Sequence, residues 1–277
     1  MRRVLVTGAN GYLGSNIVHS LWEYNDVTPL TRQQCDLKDI DATTKWFRNT
    51  NMKYDVLIHC ASVGGSRLKE DTNVVYSENM NMFLNLHANK QFFKKIVYLN
   101  SGAALHRPEE PYGKAKGQIA DIIRDQYNVH EREIITIFNI FDHNEMPTRF
   151  ISTAIERALL RYKSSIFVDN KFMSFYYMKD FIEVIKQSLF LHAEKRDYCL
   201  AYEQTPPKLK EIAQFIKDIS KKEDLEIVEF DEEPIYYGPR TDDVLSPYFY
   251  SYENGLWKGI EKTFNILKAR RENKPKW

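Results

Sequence analysis

Short runs of β-branched and apolar residues alternate, along the first half of the chain, with longer stretches whose apolar positions recur every three to four residues. Arg3 to Val6 is a first strand, and Gly14 to Tyr24 carries Ile17, Val18, Leu21 and Trp22 at helical spacing. Val27 to Leu30 is a second strand. A helix over Asp41–Arg48 precedes the buried run "YDVLIHCA" (54–61), and a helix over Tyr76–Lys90 precedes "KKIVYLNS" (94–101). From Tyr112 a helix runs to about Tyr127, and "EIITIFNIF" (133–141) follows as one further apolar strand. This strand–helix–strand order predicts an α/β fold with a parallel, doubly wound sheet and right-handed crossovers.

Beyond Asp142 the pattern loosens into a helix from Arg149 to Tyr162, a strand pair near Ser165 to Met178, and helices over Lys179–Leu191 and Leu209–Ile219. Pro206, Pro207, Pro234 and Pro239 punctuate this half. The expected division is a sheet domain at 1–142, with some later segments returning to the sheet, and a smaller, interleaved C-terminal lobe at 143–277. The basic end "KARRENKPKW" (268–277) reads as a solvated tail.

Composition narrows the partners. The 277 residues allow one substantial core plus a smaller lobe. With 39 Lys and Arg against 38 Asp and Glu, the net charge is +1, so no long-range field favours nucleic acid or a membrane surface, and a small molecule is the expected partner. Cys35, Cys60 and Cys199 form neither a paired framework nor a metal-binding spacing, so no metal is expected and a reducing, cytoplasmic location is. The N-terminus lacks the apolar segment of a secretory signal, and no apolar stretch approaches membrane-spanning length.

"VLVTGANGYLGSNIV" (4–18) sets Gly8, Gly11 and Gly14 directly after a strand and at the start of a helix. Without side chains the backbone turns tightly and approaches a pyrophosphate, whose charge rests on the helix N-terminal amides. Asn10, Tyr12 and Leu13 share that turn, so the expected cradle is Gly8, Asn10, Gly11, Tyr12, Leu13 and Gly14. The second strand ends "TPLTRQQCDLKD" (28–39), with Arg32 and no acid at its tip. An arginine there suits a ribose 2′-phosphate, which favours NADP(H) over the alternative NAD(H).

In "LNSGAALHRPEEPYGKAK" (99–116), Ser101 closes a strand, and Tyr112 and Lys116 lie four apart on one face of the next helix. A phenol is a poor proton donor or acceptor at neutral pH, and a neighbouring ammonium stabilises its phenolate. Tyr112 with Lys116 therefore makes a proton-exchanging pair for a carbonyl or alcohol oxygen, and Ser101 offers a hydroxyl to the same oxygen. Lys114 faces elsewhere and is read as solvated.

These three glycines, with "TG" before and "YLG" after, and the Ser, Tyr and Lys in that order resemble the extended short-chain dehydrogenase/reductase family of nucleotide-sugar epimerases, dehydratases and reductases. The resemblance covers the first 140 residues well and implies a Rossmann-type sheet, a nucleotide-diphosphate sugar substrate and a homodimer. It implies that Asp36 and Leu37 lie beside the adenine ring. It also places Cys60, Ala61 and Ser62 along the adenosine and pyrophosphate side, and Asn79 as a brace near the active site.

Within the family, Arg32, "ASVGG" (61–65) and "ENMNM" (78–82) are similar to GDP-fucose synthase and its 4-keto sugar reductase relatives. That likeness implies hydride delivery to C4 and a proton from Tyr112 to O4, in surface polysaccharide synthesis. Two departures weigh against an accompanying epimerisation: Ala103 stands where those enzymes carry a cysteine, and "FDH" leaves His143 loosely in register with their histidine. The short interval between Ser101 and Tyr112 suggests an open sugar site. Arg149, Arg240 and His143 are the candidate substrate contacts. The alternatives are an epimerase or dehydratase with tightly held NAD, and a non-catalytic dinucleotide-binding regulator.

Overall fold

The computed structural model describes residues 1–66, 68–190, 196–243, 245 and 254–273. The chain divides into two compact units, the first comprising 1–137 and 182–199 and the second 138–181 and 200–277. The change of unit thus falls at 137/138, where the sequence places it at 142.

Along the first unit run β1 (Arg3–Thr7), α1 (Tyr12–Leu21), β2 (Asp26–Leu30), α2 (Ile40–Thr50), β3 (Tyr54–His59), α3 (Asn73–Ala88), β4 (Phe93–Ser101), α4 (Ala103–His106), α5 (Pro111–Gln126) and β5 (Arg132–Ile137). The chain then builds β6 (Ile140–Phe141), α6 (Phe150–Ala158), β7 (Ser164–Val168), β8 (Lys171–Met173) and β9 (Tyr176–Tyr177). α7 (Met178–Phe190) leads back to the first unit, where β10 (Asp197–Leu200) joins its sheet. α8 (Leu209–Ser220), β11 (Leu225–Glu229), β12 (Ile235–Tyr237) and α9 (Gly255–Glu272) complete the second unit.

The six-stranded sheet has the order β10-β5-β4-β3-β1-β2, and β1 to β5 pair in parallel. Successive residues of one strand, such as Val4, Leu5 and Val6, are all fully buried, because helices cover both faces. One layer joins Leu5, Leu57 and Tyr98 of the sheet to Phe47 of α2, Phe83 and Leu86 of α3, and Ile119 and Ile123 of α5. Local chemistry sets the helix ends: the Asp39 carboxylate accepts from Asp41 N (2.8 Å) and Ala42 N (3.0 Å) to cap α2, and Pro111 occupies the first turn of α5. Chain order reverses between β1 and β3, so the crevice beyond their C-terminal ends is the switch point of the sheet.

A buried charge pair stitches the β10 side. Lys95 Nζ lies 2.5 Å from Glu133 Oε2 and donates to Ser188 O (2.6 Å), while Tyr198 Oη donates to Glu133 Oε1 (2.8 Å).

In the second unit β6 pairs with β9, β7 with β11 and β8 with β12, each in parallel. Phe141, Ile155, Tyr177, Ile212, Leu225, Ile260 and Phe264 fill its core. Asp180 fastens the start of α9, accepting from Asn254 Nδ2 (2.7 Å), Gly255 N (3.0 Å) and Tyr202 Oη (2.6 Å).

Three expectations need correction. "EIITIFNIF" is two strands in different sheets, because the run is apolar throughout while the backbone turns out of the large sheet after Ile137. The helix expected over Arg149–Tyr162 spans Phe150–Ala158 only. The C-terminal segment is not simply a solvated tail. Lys268 to Glu272 close α9, and Arg270 donates to His143 O and Asn144 Oδ1, both at 3.1 Å. Residues 274–277 lie outside the described residues. Among the described residues no helix is long and apolar enough to cross a membrane.

Candidate active site

Gly8 leaves β1 with φ +64°, and a Cβ there would sit 2.7 Å from Ala61 N. A Cβ at Gly14 would run into Gly8 O and lie 2.9 Å from Gly8 C. These two glycines therefore let the turn lie flat on the end of β3 and the start of α1. Gly11 differs: its backbone is extended (φ −77°), and a Cβ would meet only Gly8 O at 3.2 Å. The space beside it is open cleft, a cradle that a methyl group would fill.

Thr7 ties the two strand tips together. Its Oγ1 accepts from Cys60 N and Ala61 N, each at 3.2 Å, and lies 2.9 Å from His59 Nδ1. Burial, with the Lys116 ammonium adding to it, pulls His59 down to about 3, so its imidazole stays neutral. Burial pushes the Cys60 thiol up to about 12 against the opposing pull of Lys116, which removes it as a nucleophile near neutrality.

A cleft of about 660 Å³ opens at this switch point. Of the expected cofactor residues, Gly8, Asn10, Gly11, Arg32, Asp36, Leu37, Cys60, Ala61 and Ser62 line it together. Tyr12, Leu13 and Gly14 form the first turn of α1 behind the loop; Asn79, Tyr112 and Lys116, also expected as cofactor contacts, are not among the residues that line the cleft, and Asn79 acts as a brace. Asn79 Oδ1 accepts from Val63 N (3.1 Å), and its Nδ2 donates to Val63 O (2.8 Å) and Val75 O (2.7 Å). Arg32 is 73% exposed and its Nε lies 3.5 Å from Asp36 Oδ2, so the acid absent from the strand tip arrives four residues later. Thr31, Gln33, Cys35, Lys38, Val63 and Met82 also line the cleft and were not singled out in the sequence. Only the small-residue run after β3 hinted at Val63. The residues present fit a dinucleotide diphosphate: a floor without side chains, a helix start, and a guanidinium at the far end.

The Ser–Tyr–Lys group belongs to the same unit. Lys116 is 5% exposed, donates from Nζ to Leu99 O (2.8 Å), and stands 4.9 Å from the Tyr98 ring centre and 5.8 Å from that of Tyr112. A carbonyl and two aromatic faces thus replace the water that a buried ammonium loses. Ser101 ends β4, and its Oγ accepts from Ala103 N (3.2 Å). The interval between Ser101 and Tyr112 is not an open loop: α4 packs on the start of α5, where a Cβ at Gly113 would come within 2.6 Å of Ala103 O. Chemically the group is a phenol ring beside a buried, hydrogen-bonded lysine, with a hydroxyl at the end of the neighbouring strand.

His143, Arg149 and Arg240 lie in the second unit. His143 Nδ1 is 3.9 Å from Asp142 Oδ2, and burial lowers its pKa against the pull of that carboxylate. Arg149 precedes α6 as its cap residue, and Arg240 N donates to Asp243 Oδ2 (2.6 Å).

A glycine turn at the switch point of a doubly wound sheet, followed by Ser, Tyr and Lys on the fourth strand and the helix after it, defines a Rossmann-type protein of the extended short-chain dehydrogenase/reductase class. Residues 4–200 match the NAD dependent epimerase/dehydratase family, and the chain belongs to it. No curated protein matches the sequence. Solved structures with the same fold include GDP-mannoheptose C4 reductase from Campylobacter jejuni with NADP bound (15% identity, 96% of this chain and 98% of that one, TM-score 0.76). GDP-L-fucose synthetase from Naegleria fowleri is similar too (18% identity, 99% and 95%, TM-score 0.71). So is dTDP-glucose 4,6-dehydratase from Bacillus anthracis with NAD (14% identity, 98% and 98%, TM-score 0.74). Reductase and dehydratase share the fold about equally, so the choice between them falls to the residues of the site.

Proposed function

We propose that the chain is an NADPH-dependent reductase of a 4-keto or 4-keto-6-deoxy nucleotide-diphosphate sugar in surface polysaccharide biosynthesis. The observation that carries this reading is the buried Lys116 ammonium, fixed at Leu99 O beside the Tyr112 ring in the unit that also holds the Arg32-bearing cleft.

Gly8, Asn10 and Gly11 would hold the pyrophosphate of the cofactor, Arg32 its 2′-phosphate, and Asp36 and Leu37 its adenine end. Reduced NADP supplies the hydride that reduction at C4 requires. Tyr112 Oη then gives its proton to O4, so carbonyl becomes alcohol with one hydride and one proton added. Lys116 holds positive charge beside the phenolate that remains, and Ser101 Oγ donates a hydrogen bond to O4 as negative charge develops there. No cysteine follows closely after Ser101 in the sequence, and Ala103 occupies the position two beyond it, which supports reduction without epimerisation.

The test is a panel of 4-keto-6-deoxy sugars on GDP, dTDP, UDP and CDP, followed by loss of reduced-nicotinamide absorbance. Turnover of at least one, abolished in Tyr112→Phe with NADPH binding retained, supports the reading. Near-normal turnover in Tyr112→Phe sinks it, and NAD that stays with the protein through purification points to the epimerase or dehydratase chemistry instead.

A further inference from the structure

The segment after β3 touches both halves of the site. Its first part, Cys60 to Val63, lines the cleft, and Asn79 holds Val63 at both backbone atoms. Its next two residues are Gly64 (φ +83°) and Gly65 (φ +70°). A Cβ at Gly65 would lie 2.8 Å from Tyr112 Cε1 and 3.0 Å from Cδ1 and Cζ, so the Tyr112 ring rests directly on the Gly65 backbone. Two side chains at the start of α3 meet the glycine pair: Val75, whose Cγ1 a Cβ at Gly64 would strike, and Asp71, which alone hydrogen-bonds it among the described residues. Asp71, just before α3, accepts from Gly65 N with both carboxylate oxygens (2.9 and 3.1 Å), and a Cβ at Gly64 would come within 2.7 Å of Asp71 Oδ1. Positive φ at two successive residues is backbone that glycine, lacking a Cβ, adopts without strain, so what holds the pair in this one arrangement is its contacts.

We infer that Asp71 is a positioning residue for Tyr112: its carboxylate clamps the Gly64–Gly65 turn, and the turn is the surface against which the Tyr112 ring is set. This rests on Tyr112 as the proton donor. Asp71 is not among the residues that line the cleft, and its carboxylate bonds Gly65 N, so its effect on Tyr112 passes through Gly65. Removing the clamp should leave the cofactor cleft intact, since Val63 keeps its separate Asn79 anchor, and should let the phenol wander from the reacting oxygen. Misplacement of a reacting group by about 1 Å costs roughly 100-fold in rate.

The experiment uses the full chain with NADPH present and 3-fluorotyrosine incorporated, the Tyr112 fluorine resonance being assigned by its loss in Tyr112→Phe. Asp71→Ala should shift or split that resonance and lower kcat about 10- to 100-fold while the KM for NADPH changes less than about twofold. Asp71→Asn, which keeps an acceptor oxygen for Gly65 N, should restore most of both. If Asp71→Ala does not fold, Gly65→Ala stands in, because its methyl group would displace the ring with Asp71 in place. An unmoved Tyr112 resonance overturns the inference, as does unchanged turnover in a protein whose wild type is active. Should the wild type reduce no sugar in the panel, the substrate reading fails, and the fluorine signal alone decides the role of Asp71.

Discussion

Gly11 and Gly14 are three residues apart in one motif, yet their surroundings predict opposite responses to the same methyl group. At Gly14 the backbone is helical, where alanine is worth about 1 kcal/mol over glycine. Against that, the new Cβ would sit 2.9 Å from Gly8 C and 3.1 Å from Ala9 Cα, in addition to its collision with Gly8 O. Ordinary carbon–carbon contacts lie near 3.5–4.0 Å, so the loop and helix must separate by roughly half an ångström or more. Overpacking of that kind costs about 1–3 kcal/mol, and a collision with three backbone atoms of Gly8 and Ala9 belongs at the upper end. The net for Gly14→Ala is a loss of about 2 kcal/mol, or roughly 4–8 °C in Tm. At Gly11 the only close atom is Gly8 O at 3.2 Å, and the residue is a helix N-cap, where exchanging glycine for alanine costs about 1 kcal/mol or less. Gly11→Ala should therefore fold almost normally and lose NADPH affinity by about tenfold or more, because its methyl occupies the space a pyrophosphate needs. Urea unfolding and NADPH fluorescence titration on both variants give the four numbers. A Gly14→Ala protein as stable as wild type, or a Gly11→Ala protein with NADPH affinity within twofold of it, would refute the division of labour.

Arg32→Ala should leave stability within about 0.5 kcal/mol, since an exposed pair contributes little, while raising the KM for NADPH and sparing that for NADH; an equal effect on both rejects the 2′-phosphate role. Lys95→Met strands the fully buried Glu133 carboxylate and should cost about 3–5 kcal/mol in urea unfolding, with the Lys95→Met, Glu133→Leu double variant less impaired than the single one; a single-variant loss under about 1 kcal/mol would show the pair to be dispensable. Folding takes His59 from 6.5 to about 3, so the unfolded chain binds the extra proton in that window and stability falls as pH drops from 6.5 toward 3, by up to about 5 kcal/mol at 1.36 kcal/mol per unit. By proton NMR the His59 signal, assigned by its loss in His59→Gln, should not titrate down to pH 4; an ordinary titration of that signal would contradict it.

What the sequence reveals is what its spacing encodes. Gly8, Gly11 and Gly14 stand at fixed offsets from a strand and a helix, and Tyr112 and Lys116 share a helix face by arithmetic alone, so the tight turn and the juxtaposition of that phenol with that lysine were readable as strings. The run 133–141 was not, because an unbroken apolar sequence carries no mark of where the chain leaves one sheet for another. The strand β11 and the helix α9 were missed because their polar and apolar residues mix without a clean period, and β12 because three residues are too few to show one. Contacts far apart in sequence left no trace either. Thr7 as the knot between two strand tips and Lys38 at the cleft are decided by tertiary placement, and Asp71 gives no signal in a segment of mixed polar residues. Arg32 shows the intermediate case, legible as a guanidinium at the strand tip but not as one already engaged by Asp36.

The return of residues 182–199 to the first unit has a consequence for the order in which the molecule can be made. A ribosome releases β5 about sixty residues before β10, a delay of roughly 3–12 s at ordinary elongation rates. Throughout that interval β5 is the outer strand of a nascent sheet, with Ile134 N still lacking the Arg196 carbonyl it will later meet. Exposed strand edges recruit other chains, and a charge on the edge discourages them. Glu133 sits on that edge with Lys95 of β4 as its partner, and its second hydrogen bond, from Tyr198, is available only once β10 has been made.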